Sequence, residues 1–216
     1  MGKSTESVSV IGGADGPSSV LIARQNSKKS MKQSVHKLKY NIKKYFVERK
    51  IQSGTHTMDE VLVYIVEELG LQEMNRDILC DTEEYKEMRA SFLMQYRADL
   101  LGEYEQQPVL ADRDPDSVRE YIDLNDERHK CAMEIPCILF DIDMHKFTKE
   151  YSKTDGNLDV VIEMNYNYIG GNASGKVACK KLNKILKQIY LFYGVNEEDI
   201  KYKTDRYKNL VSALCI

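Results

Sequence analysis

The order of elements in this sequence predicts an α+β fold, a small, mainly antiparallel sheet covered by about six helices. Two observations carry that expectation. Apolar residues recur at spacings of three and four over several stretches, the mark of amphipathic helices. Two other stretches, near residues 137–147 and 157–169, alternate apolar and polar side chains with a period of two, the mark of half-buried strands. An N-terminal hairpin supplies the remaining strands.

In chain order, Ser7–Ile11 and Ser18–Ala23 read as short strands joined by a glycine-rich turn. From Lys28 to Lys50 the period changes. Met31, Val35, Leu38, Ile42, Tyr45 and Arg49 fall at helical spacing with lysines between them. Thr57 with Glu60 forms a capping box, and the helix it opens runs to Gly70. Asp81 with Glu84 opens the next, whose apolar line is Tyr85, Met88, Phe92 and Tyr96. Asp114 and Pro115 supply an N-cap and an N1 proline for a helix that ends before Pro136.

After Pro136, Ile138, Phe140, Ile142 and Met144 point one way and Asp141, Asp143 and His145 the other. Leu158 to Tyr168 alternate in the same manner, and Gly170-Gly171 breaks the strand. Ser174 caps a helix carrying Ala178, Leu182, Ile185, Ile189 and Phe192 inward, which Gly194 ends. Asn196 starts the last helix, with Ile200, Tyr207, Val211 and Leu214 inward. The sequence reads as one domain, residues 1–216, with a weak boundary at 106–114.

The composition is that of a soluble globular protein, 42% hydrophobic and 30% charged. No stretch approaches the roughly 18 to 20 apolar residues of a membrane helix, so no membrane insertion is expected. The first residues lack a basic segment followed by an apolar core, which argues against a secretory signal. The five cysteines are scattered without a Cys-x-x-Cys, as reduced thiols of a cytoplasmic protein would be. Charge is segregated: residues 24–50 hold ten bases and one acid, and residues 57–135 hold 21 acids against eight bases. The basic helix lacks aromatic residues on its lysine side, so nucleic acid is not the favoured partner.

The stretch Val10-Ile11-Gly12-Gly13-Ala14-Asp15-Gly16-Pro17-Ser18 offers exposed amides for an anion and, at Asp15, a carboxylate for a cation or a hydroxyl. It resembles the Gly-Gly-Ala-Asp-Gly-Pro-Thr signature of the beta subunit of sodium ion-translocating decarboxylases, with Ser18 at the threonine position. The chain is similar to short soluble bacterial proteins that share this opening. The resemblance covers residues 10–22 and implies an ion-contacting role for Asp15, in a protein lacking the family's membrane part.

Three other motifs carry chemistry. Gly170 to Lys176 matches G-x-x-x-x-G-K, with Val177 at the position of the magnesium-binding hydroxyl. Nucleotide hydrolysis is therefore not expected, while Gly175 and Lys176 at a helix start suit an anion. Phe140-Asp141-Ile142-Asp143 is similar to the D-x-D of haloacid-dehalogenase-like phosphatases, which continue with Gly-Thr where this chain has Met144-His145. Asp141, Asp143 and His145 also share one strand face, where Asp159 or Glu163 of a neighbouring strand would complete a metal site. No Ser-His-Asp or Cys-His arrangement is legible.

The expectation is thus a non-catalytic protein binding or sequestering a small anionic, nucleotide- or phosphate-like ligand. Gly12, Gly13, Asp15, Gly16, Ser18, Gly175 and Lys176, with lysines of the first helix, are the proposed contacts. The cofactor is left unknown. The alternatives are an interaction module acting as a homo-oligomer, a metal-dependent hydrolase using Asp141, Asp143 and His145, and the decarboxylase-like protein.

Overall fold

The computed structural model of the 216-residue chain describes residues 7–10, 31–110, 114–151 and 156–215. The expected N-terminal hairpin lies outside them except for its first strand. The fold is α+β, with two small antiparallel sheets among many helices. The chain divides into two compact units. One comprises Met1–Glu73, Lys146–Ile162 and Tyr166–Ile216; the other comprises Met74–His145 and Glu163–Asn165.

The first unit is built on a five-stranded sheet. Strand β1 (Ser7–Val10) lies at one edge, followed by β6 (Tyr168–Ser174), β5 (Asn157–Glu163), β4 (Met144–Glu150) and β3 (Gln72–Glu73). Ser7 pairs with Ser174 and Val10 with Gly171. Helix α6 (Lys176–Tyr193) follows β6 and lies against it, burying Ala178, Leu182, Leu186, Ile189 and Tyr190. Gly171 makes that approach possible. A Cβ there would stand 2.6 Å from the Asp159 carbonyl oxygen and 2.9 Å from Leu182 Cδ1. The Tyr190 hydroxyl donates to the Ile169 carbonyl at 2.8 Å, tying helix to strand.

A second, two-stranded sheet pairs β2 (Gly54–Thr55) with β7 (Gly194–Val195). Gly194 ends α6 at φ 63°, where a Cβ would meet the Gly54 carbonyl at 1.8 Å. Around this sheet stand α1 (Met31–Glu48), α2 (Met58–Glu67), α7 (Glu197–Tyr202) and α8 (Asp205–Cys215). The capping box of α2 forms as the sequence predicts: Thr57 Oγ1 accepts from the Glu60 amide at 3.2 Å, and Glu60 accepts from the Thr57 amide at 2.7 Å.

The second unit packs α4 (Glu83–Tyr96) against α5 (Pro115–Glu134), with α3 (Arg76–Cys80) and a 3-10 segment (Ala98–Tyr104) beside them. Asp114 caps α5 and Pro115 opens it, as expected. Two arginines are buried here, held by backbone carbonyls. Arg89 donates to Phe140 at 2.9 Å and Ile135 at 2.6 Å; Arg128 donates to Tyr104 at 2.9 Å and Met94 at 3.0 Å. Each guanidinium supplies donors that helix-end carbonyls lack away from water.

Several boundaries differ from the sequence reading. The expected alternation holds in burial only from Phe140 onward, with Phe140 and Ile142 inside; Ile138, expected inward, is 92% exposed because residues 137–143 lie outside the sheet, and β4 begins only at Met144. The single strand expected over 157–169 is two strands joined by a turn at residues 164–167, where Asn167 takes φ 53°. Gly170-Gly171 sits inside β6 and does not break it, because close packing, not a turn, is what requires glycine there. Ser174 is the last residue of β6; Gly175, at φ 92°, takes the N-cap of α6. Thr82 and not Asp81 caps α4, since Asp81 closes the short α3. The last helix is two, separated where Lys203 turns left-handed at φ 50°. In α4, Arg89 replaces the exposed Tyr96 on the buried side.

Candidate functional site

The glycine turn, with Gly12, Gly13, Asp15, Gly16 and Ser18, lies outside the described residues. Gly175 and Lys176 open α6, with Lys176 exposed. Residues 168–174 are strand, flanked on both sides by β1 and β5. Their amides serve the sheet and do not form the concave loop that cradles a phosphate. Val10, which precedes the glycine turn in sequence, pairs with Gly171; Gly175 follows Ser174, which pairs with Ser7.

In the second unit, Asp141 is bound apart from Asp143 and His145, which stay side by side. The Tyr85 hydroxyl donates to Asp141 Oδ1 at 2.5 Å and to the Ile142 carbonyl at 3.1 Å. Burial, reinforced by the Asp141 carboxylate, raises the Tyr85 phenol well above its ordinary value. Arg76 pairs with Asp143 at 2.7 Å, and His145 Nε2 stands 3.6 Å from the same oxygen. The Asp143 amide donates to Glu163, a fully buried carboxylate, at 3.0 Å. Among the described residues no group of three or more His, Cys, Asp or Glu is set to hold a metal ion. Asp159, the other carboxylate considered as a helper, pairs with Lys146 at 3.2 Å.

The first unit contains a groove of about 490 Å³ that sequence reasoning only half foresaw. Helix α1 lends Lys43 and Val47; α6 lends Lys187, Leu191 and Phe192; α8 lends Leu210 and Leu214; Lys50 and Ile51, just past α1, and His56 join the lining. Aliphatic side chains and three lysines thus share the lining. Lys43 donates to the Cys215 carbonyl at 3.0 Å, placing its ammonium at the C-terminal end of α8. Burial raises the Cys215 thiol above its usual value. His56 Nδ1 donates to the Phe192 carbonyl at 2.6 Å, which leaves Nε2 as the ring's other polar atom.

Phe192 is itself held between two rings. His56 stacks on it at 3.8 Å and Tyr64 at 4.1 Å, with interplanar angles of 13° and 4°. Both of its faces are therefore taken, and only its edge is free to meet a ligand. Arg206 fixes the neighbouring backbone, donating to Gly194 at 2.8 Å, Tyr193 at 2.5 Å and His56 at 3.2 Å. Lys43 and Lys50 belong to the lysine-rich helix that the sequence marks out. Lys187 is one of several lysines on α6 with nothing in the sequence to single it out, and His56 is an isolated histidine before a cap.

Comparison with protein-family models, curated proteins and solved structures finds no match to the chain. Among the described residues no helix is long and apolar enough to cross a membrane.

Proposed function

We propose that this protein binds a small anionic ligand bearing an apolar or ring-shaped body, and that the groove between α1, α6 and α8 holds it. The observation that carries this reading is the presence, in one groove, of the cationic Lys43, Lys50 and Lys187 with the aliphatic Val47, Ile51, Leu191, Leu210 and Leu214. Ammonium groups attract a phosphate or carboxylate without the fixed fork that a guanidinium would impose. The aliphatic walls take the rest of the molecule, and the Phe192 edge meets it side-on. The groups present hold charge; none is paired as nucleophile with base. The glycine-turn residues lie outside the described ones, and the groove draws on the same lysine-rich helix that the sequence marks out.

Calorimetric titration with phenyl phosphate, inorganic phosphate and benzyl alcohol tests the reading. Phenyl phosphate should bind more tightly than either fragment. Replacing both Lys50→Glu and Lys187→Glu should weaken it by about tenfold or more, a loss of roughly 1.4 kcal/mol. Absence of phenyl phosphate binding, or equal binding by the doubly reversed variant, would overturn the assignment.

A further inference from the structure

Helix α1 leaves an apolar stripe in solvent. Val35, Leu38, Ile42, Tyr45 and Phe46 are 47, 59, 49, 54 and 58% exposed. The helix does rest on its own unit, but by another face: Lys43 and Val47 line the groove with Leu210 and Leu214 of α8, and Lys43 reaches the Cys215 carbonyl. At about 100° per residue, that face lies about 120° around the helix from the stripe. Helix-to-helix packing inside the chain therefore does not use the apolar positions, and a contiguous exposed stripe of this kind marks an interaction surface.

We infer that a second copy of this chain covers the stripe, the two α1 helices lying parallel as a short two-stranded coiled coil. The spacing Val35, Leu38, Ile42, Tyr45 alternates three and four, placing Val35 and Ile42 at a and Leu38 and Tyr45 at d of one heptad frame. β-branched residues at a with leucine at d are the choice that favours two parallel strands. Charge agrees. In the parallel arrangement Asn41, at g, faces Phe46 of the other copy, at e; antiparallel packing would instead set Lys39 against its counterpart. Lys37 and Lys44 fall at c, directed away from the seam. Because α8 lies about 120° from the seam, it stays clear of the partner helix. The seam runs from Val35 to Phe46, about 18 Å of helix, so the dimer is reversible and not obligate.

Light scattering behind size exclusion, over about a hundredfold range of protein concentration, reads the result directly. The mass should rise from 24.9 kDa toward twice that value. Ile42→Glu should hold it at the monomer and weaken association by about tenfold or more. Leu38→Asn is the milder companion, and both variants are checked for native circular dichroism, since neither position is buried in the monomer. Ile42→Cys under mild oxidation should link position 42 to position 42 of the partner, as a parallel a layer requires. A monomer at every concentration, or a dimer indifferent to Ile42→Glu and Leu38→Asn, would overturn the inference. So would a monomer that binds phosphatidylserine vesicles through Ile42, which would assign the stripe to an anionic lipid surface.

Discussion

Helices α1 and α6 are each 18 residues long and each carries five lysines, but the chain completes only one of them. In α6, Leu182, Leu186 and Ile189 are at most 2% exposed, whereas the apolar line of α1 stands in solvent. The sequences have the same amphipathic design. What differs is the surface opposite. α6 meets a strand whose Gly171 has no side chain, so the helix comes close enough to seat Leu182. α1 lies beside α8 with Lys43 and Val47 lining a groove left open between them. Amphipathic spacing specifies a helix and a face; what covers that face is a separate property of the partner surface.

The sharpest way to break this comparison is to truncate both faces. Leu182→Ala should lower the free energy of unfolding by about 2–5 kcal/mol, because a fully buried leucine leaves a cavity. Leu38→Ala, measured at low protein concentration, should change it by about 0.5 kcal/mol or less. Denaturant unfolding of the two variants reads both values. Equal losses would show that α1 is packed as firmly as α6, and the contrast would fall.

Gly171→Ala sharpens the reason for the contrast. The added methyl carbon would press on the Asp159 carbonyl and on Leu182 Cδ1, so strand and helix must part slightly, at a cost of about 1–3 kcal/mol. The companion change Gly171→Ala with Leu182→Val should recover part of that loss, since the shorter side chain makes room. A Gly171→Ala protein as stable as the parent would mean that α6 does not depend on this close approach.

What the sequence made legible follows from how local each signal is. Thr57 with Glu60 and Asp114 with Pro115 set their helix starts through contacts within three residues, and both appear where the sequence places them. The Leu158–Tyr168 alternation is real in burial only up to Val160, after which Val161, Ile162 and Glu163 are all buried, and period two cannot announce a hairpin turn; only Asn167, tolerant of positive φ, hints at it. Gly170-Gly171 was misread because a glycine needed for close packing looks in sequence like a glycine needed for a turn. Arg89 and Arg128 escaped for the opposite reason. A buried arginine satisfied by carbonyls depends on chain segments tens of residues away, which no local pattern records. The groove is of the same kind: Lys43, His56 and Lys187 come from distant positions and are united only by tertiary packing.

A loss smaller than that of Leu182→Ala or Gly171→Ala belongs to Tyr190 on α6, and its pH dependence makes it the most diagnostic. Its hydroxyl donates to the Ile169 carbonyl, and burial, with Tyr168 and Tyr193 nearby, raises the phenol well above the ordinary value of 10.0. The folded state thus disfavours the phenolate. A folded-state value above the unfolded one means that the contribution to stability is fully present below about pH 10 and declines as pH rises toward the folded value. Tyr190→Phe should cost about 1 kcal/mol at neutral pH through the lost hydrogen bond. It should also remove the phenol that must ionise on unfolding above pH 10, so its stability should fall less steeply there than that of the parent. Unfolding curves taken from neutral pH to beyond pH 11, with tyrosinate absorbance followed in parallel, should therefore converge. Parallel decline of the two proteins would place the alkaline sensitivity in Tyr193 or Tyr207, whose phenols burial also raises, and not at the contact that binds α6 to its strand.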